Sequence, residues 1–283
     1  VSRNPDPLAV FGRIVPRDHA LLGLLAEHYL LSTDQITHAF FDSRRTAQRR
    51  LTILHRLDVL HRFGRSGAHG RYGSLLYTLG PVGLQLHPTT YHDPNSVGGK
   101  APRSSLERAK RIAASGQVHH LLGVNQFFTD LLATARRAPD AQLSRWWSEQ
   151  HATTVYAQAG IRPDGHGVWT AGGTSTGFFL EHDNGTENLA RVVAKLRGYE
   201  RLTTFGPRYP VLFWVPGPRR EASLLRVLAG LPTASPIATA VHGPNPAGRV
   251  WTLVSDPTQR RHLHELPCDH GPDTVTNPQR FCL

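Results

Sequence analysis

Apolar positions in the first third of the chain recur with a helical period. Leu21, Leu24, Leu25, His28 and Leu31 share one face, and Pro16 suits the first turn of that helix. Ser32-Thr33-Asp34 breaks the pattern and caps a short second helix, Gln35 to Phe41. Ser43 is the expected N-cap of a third helix over 44–58. Leu51, Leu54 and Leu57 are expected to face inward, and Arg44, Arg45, Gln48, Arg49 and Arg56 outward. Val59 and Leu60 lead to Arg62-Phe63-Gly64-Arg65, a glycine-rich stretch carries His69 and Arg71, and Ser74 to Leu79 alternates like a returning strand. Three helices and a hairpin with a basic tip predict a winged helix-turn-helix over 12–86.

Pro, Gly, Asn and Ser dominate residues 87–103, which read as a linker. Beyond it, 104–137 has helical periodicity with an interruption at Gly116. From residue 142 strand-like runs (142–147, 155–156, 167–170, 177–181, 210–215, 237–241, 250–254) alternate with helical stripes over 187–202 and 221–231. The fold class expected is therefore α+β, with an α/β domain over 104–256 and a loose tail over 257–283. Thr258 to Arg261 reads as helix.

Charge changes the picture of partners. Lys and Arg number 32 against 21 Asp and Glu, a net charge of +11, which attracts polyanions. Placed on the third helix and the hairpin tip, the excess suits double-stranded DNA. Arg44, Arg45, Gln48 and Arg49 offer donors to base edges and phosphates, and Arg71 offers one from the wing. No apolar run is long enough to span a membrane and no signal segment is evident, so a cytoplasmic location is expected. Two cysteines, Cys268 and Cys282, do not make a disulfide framework. A homodimer is expected by analogy with paired half-sites, without support from a heptad.

The candidate chemistry lies in the second half. Arg162-Pro163-Asp164-Gly165 is a turn holding a carboxylate, and Phe178 to Asp183 is an apolar strand ending in Glu181 and Asp183. Alternation is expected to put those two on one side. Lys195 and Tyr199 are one turn apart on the next helix, and Glu149 is a further acid. Phosphodiester cleavage needs hard oxygen ligands for Mg²⁺ or Mn²⁺ and a cation near the phosphate. Asp164 and Glu181 are the expected metal ligands, Lys195 the cation and Arg162 a phosphate contact. Each has a plainer reading as well: Asp164 and Asp183 as turn formers, Lys195 as a solvated helix residue, Tyr199 as core.

Pro163-Asp164 and Glu181-His182-Asp183 resemble the two elements of the PD-(D/E)xK nuclease superfamily. Asp183 stands where that motif has lysine, and Lys195 is its replacement from the following helix. The order of elements over roughly 15–255 also resembles the replication-relaxation family of plasmids and integrative elements in Gram-positive bacteria. That resemblance implies plasmid replication and relaxation of supercoiled DNA by a metal-dependent nickase or relaxase, with Asp164, Glu181, Asp183, Lys195 and Tyr199 at its site. Two alternatives stay open: a non-catalytic DNA-binding regulator or accessory factor, and a scaffold whose winged helix contacts protein.

Three rival sites are weaker. His262-Leu263-His264 has the form of a relaxase metal motif but stands on an expected helix with no tyrosine downstream. His262, His264, Cys268, His270 and Cys282 have zinc-type ligands in no standard spacing. Gly172-Gly173-Thr174 is too short to cradle phosphate.

Overall fold

The computed structural model describes residues 10–64, 74–89, 102–185 and 188–273. The fold is mixed α+β, in two compact units that part between Thr129 and Asp130. Among the described residues no helix is long and apolar enough to cross a membrane.

The first unit holds α1 (Pro16–His28), β1 (Leu31–Ser32), α2 (Thr33–Phe40), α3 (Arg44–Arg56), β2 (Leu60–Phe63), β3 (Leu76–Leu79), α4 (Pro81–Leu86) and α5 (Ser105–Ala114). Its three strands pair antiparallel in the order β1-β3-β2. Ser32 starts α2 with a capping box: its hydroxyl accepts the Gln35 N–H, and Gln35 accepts the Ser32 N–H. The Ser43 hydroxyl accepts the Thr46 N–H and starts α3. Ala47, Leu51 and Leu54 form the buried stripe of α3. Leu57, expected inward, is the half-buried C-cap, because the helix ends at Arg56.

The units part inside α6 (Val118–Ala135), well past the expected linker. Two polar side chains explain why. Gln35 donates to the Leu122 carbonyl at 2.7 Å, and buried Asn125 donates to the Leu30 carbonyl at 2.8 Å. Buried amides must be satisfied, so these bonds tie the start of α6 to the helices before it. Of the expected linker, 90–101 lie outside the described residues.

The second unit is a seven-stranded sheet in the order β10-β9-β8-β7-β6-β5-β4. β4 (Gln142–Ser148), β5 (Gly165–Ala171) and β6 (Thr174–His182) form an antiparallel meander. β7 (Val211–Val215) and β8 (Ile237–Val241) continue it in parallel, and β9 (Trp251–Leu253) and β10 (Asp256–Arg261) close it antiparallel. β7 reads Val-Leu-Phe-Trp-Val because it is buried throughout. α7 (Glu149–Val155), α8 (Leu189–Leu202) and α9 (Pro218–Leu228) complete the unit. Leu196, Tyr199, Leu224 and Leu228 of α8 and α9 pack in one cluster with Phe179, Val211, Phe213 and Val215 of the sheet.

Three expectations are corrected. Val155 ends α7 and Tyr156 caps it, so this pair is no strand; Ser148 accepts the His151 N–H and commits the segment to a helical turn. Thr258 to Arg261 lie in β10, not a helix, because pairing with β9 outweighs the helix preference of Gln and Arg. The tail expected from 257 therefore begins inside the sheet. Residues 262–273 then run back over the meander: the Thr176 hydroxyl donates to the His264 carbonyl, and Arg208 bridges to Asp269.

Candidate functional site

β6 carries an apolar run into a buried acid. Phe179 and Glu181 point to the face covered by α8, and Glu181 is only 3% exposed. Lys195 and Tyr199, one turn apart on α8, both reach it. The Lys195 ammonium donates to Oε2 at 2.8 Å and the Tyr199 hydroxyl to Oε1 at 2.6 Å. Asp164 sits at the entry to β5. Its N–H donates to the Leu180 carbonyl, and its Oδ2 accepts the His182 N–H at 2.7 Å. Those two bonds pin the acid of one strand to the end of the next. Sequence order thus places Asp164, Glu181, Lys195 and Tyr199 together.

The electrostatics follow from burial. Removal from water pushes the Glu181 carboxyl up, to about 7, and the nearby charge of Asp164 pushes it the same way; Lys195 and Tyr199 oppose them. Burial and the Glu181 charge hold the Tyr199 phenol well above its ordinary value. Tyr199 therefore stays protonated and acts as a donor that orients Glu181, not as a ready nucleophile.

Asp183 does not join them, although its partner Arg220 belongs to α9, which packs with α8 against the Glu181 side of the sheet. The Asp183 N–H donates to the Trp214 carbonyl, Oδ1 accepts the Gly185 N–H at 2.6 Å, and Oδ2 pairs with Arg220 of α9 at 2.5 Å. The turn reading of Asp183-Asn184-Gly185 holds, with Gly185 at φ +79°. Arg162 is exposed and pairs with Glu149 at 3.2 Å.

Asp164 and Glu181 are hard oxygen donors of the kind Mg²⁺ and Mn²⁺ take. Among the described residues no group of three or more His, Cys, Asp and Glu side chains converges as a metal cage. Two carboxylates alone do not make an all-protein cage; an ion they held would have to keep several waters.

The rival sites come apart. His262 and His264 stack at 5.4 Å around a 3-10 turn after β10. Cys268 accepts the Gly177 N–H, and burial pushes its thiol up to about 11. His270 is bonded to Tyr209 and to the Ser175 carbonyl, and Cys282 lies outside the described residues. Gly172 and Gly173, at φ +56° and +75°, form the two-residue β5–β6 hairpin turn.

On the first unit, Arg45, Gln48 and Arg49 are exposed on α3, while Arg44 pairs with Asp34 at 2.6 Å. Arg71 lies outside the described residues. Arg50 is a structural member of the same helix: its guanidinium holds buried Asp18 and the Arg13 carbonyl. One cluster escaped the sequence altogether: Arg145, His166, Tyr209 and Asp273, joined by hydrogen bonds. A lone arginine within the apolar strand Leu143 to Trp147 was its only local signal.

A family model described as replication-relaxation matches residues 22–211. No curated protein and no solved structure matches the chain.

Proposed function

The chain belongs to the replication-relaxation family, and from that premise we propose that it is a DNA-binding protein of plasmid replication whose second unit relaxes supercoiled DNA by cutting a phosphodiester. The first unit is read as a winged helix: α1 to α3 and the sheet β1-β3-β2 leave α3 with Arg45, Gln48 and Arg49 outward, suited to a major groove. The second unit is read as nuclease-like. Asp164 opens the second strand of the meander, Glu181 ends the third, and Lys195 comes from the helix that follows.

The observation that carries this reading is the shared environment of Asp164, Glu181 and Lys195. Burial first and the charge of Asp164 second push the Glu181 carboxyl up to about 7, against the pull of Lys195. Asp164 and Glu181 would hold a divalent ion there, which would supply charge stabilisation on the phosphate and a more acidic water. Tyr199 fixes the orientation of the Glu181 carboxylate. Lys195 lies on the solvent side of its pair, 36% exposed against 4% for Glu181, where an arriving phosphate meets its ammonium.

Relaxation of supercoiled plasmid with Mg²⁺ or Mn²⁺ tests the assignment. Asp164→Ala and Glu181→Ala are expected to lose it. Tyr199→Phe, which removes only the orienting hydroxyl, is expected to cost roughly 10–100-fold. If both acid variants relax DNA as the parent does, the site is wrongly placed.

A second reading has its own support. Both Glu181 oxygens accept bonds from protein donors, and Asp183 is committed to Arg220. A site closed in this way suits a non-catalytic DNA-binding accessory protein, which would show a salt-sensitive DNA shift and no cleavage with any metal.

A further inference from the structure

Arg145 is an arginine buried to 6% exposure in the strand β4. Two contacts fix its guanidinium. It lies over the Trp147 ring at 4.3 Å, and its Nη1 donates to His166 Nε2 at 3.1 Å. His166 must accept there, because its Nδ1 faces the Phe178 carbonyl at 2.8 Å. Burial keeps that imidazole neutral, with its pKa lowered to about 3. Beside it Tyr209 is fully buried against Gly177, where a Cβ would meet the phenol ring at 2.4 Å. Tyrosine and arginine are thus fixed donors.

Both aim at one acceptor. Arg145 Nη1 donates to Asp273 Oδ2 at 2.7 Å, Nη2 faces Oδ1 at 3.4 Å, and the Tyr209 hydroxyl donates to Oδ2 at 2.6 Å. The acceptor comes from irregular backbone in the segment 262–273, whereas Arg145 stands in β4 and Tyr209 is held by its packing on Gly177. A bidentate guanidinium fork with an added hydroxyl is the arrangement that recognises a phosphate as readily as a carboxylate.

Position gives this a use. Trp147, His166, Phe179 and Val211 are register partners across β4 to β7. Arg145 and Val168 form the row before that one, and Asp164 and Glu181 the row after it, so Arg145 and the two acids stand two side-chain rows apart on the same face, about 14 Å along the strands.

We propose that Arg145 and Tyr209 form a phosphate-binding pocket two side-chain rows from the acidic site on the same face of the sheet, and that Asp273 occupies it as an internal substitute until a phosphate displaces the segment that carries it. The phosphate is either part of a nucleic-acid strand or free. The pocket stands independently of cleavage; only its use on DNA rests on the reading above.

Thermal melts in phosphate, against chloride at matched ionic strength, test the pocket without DNA or catalysis. Asp273→Ala is expected to gain several degrees in phosphate while the parent gains none. Asp273→Ser, which leaves a small polar group at the position, serves if the alanine variant folds poorly. Adding Arg145→Gln to either should abolish the gain. Equal melting in the two salts for both single variants overturns the proposal, as does a gain that survives Arg145→Gln.

An oligonucleotide titration identifies the source. If the pocket takes a strand phosphate, Asp273→Ala binds about tenfold tighter than the parent, with a salt slope steeper by about one. Asp256→Ala, on the opposite edge of the sheet, removes the same charge and also releases an arginine, Arg261, at 2.6 Å. It should show neither change. Phosphate stabilisation with DNA affinity equal to that of Asp256→Ala assigns the pocket to free phosphate.

Discussion

Glu181 is a carboxyl whose setting decides its charge. Its pKa is raised from the ordinary 4.5 to about 7, by burial first and by Asp164 second. A proton therefore binds the folded chain more tightly than the unfolded one. This group's stabilising contribution is complete below pH 4.5 and is lost as pH rises through 7. Denaturant midpoints across that window should fall with pH in the parent, and the slope should flatten in Glu181→Gln. Parallel curves would remove the raised acid from the picture. Asp164, Lys195 and Tyr199 around this carboxyl were legible because each stands at the entry to a strand or on one face of the following helix, in a short ordered pattern. Asp183 stands apart because Arg220 of α9 and the turn to Gly185 take its carboxylate, partners that no strand pattern announces. Arg145, His166, Tyr209 and Asp273 come from four distant stretches of chain, so no local pattern could announce them.

Among elements, β6 depends on a missing side chain. Gly177 lets the Tyr209 ring lie directly on the strand. Gly177→Ala should overpack this contact and destabilise the protein by about 1–3 kcal/mol, read as a lower urea midpoint. Tyr209→Ala in the same chain should restore part of the loss; an unchanged midpoint in the single variant would show that the ring has room to move. The helices of the first unit and the strands β4 to β9 were legible because their apolar periods are strong. β10 was not, since Asp-Pro-Thr-Gln-Arg-Arg contains no apolar residue and only pairing with β9 makes it a strand. The start of α6 was assigned to the wrong unit because the bonds of Gln35 and Asn125 that hold it are long in sequence.

For the whole molecule, a net charge of +11 has to be located before it means anything. Many of the arginines are spent on internal acids: Arg50 on Asp18, Arg145 on Asp273, Arg220 on Asp183, Arg260 on Glu221. Arg45 and Arg49 are exposed on α3. Replacing both with alanine should weaken DNA binding and reduce the slope of log affinity against log salt by about two. A slope that does not move would place the DNA elsewhere on the molecule. The rim of the large sheet bears on how copies of the chain meet. β10 is its last strand; Pro257 offers no N–H there, Arg261 pairs with Asp256 within the strand, and Arg260 reaches Glu221 of α9. Such a border discourages one molecule from extending the β-structure of another, so this edge resists the open-ended stacking that would turn copies of the chain into fibres.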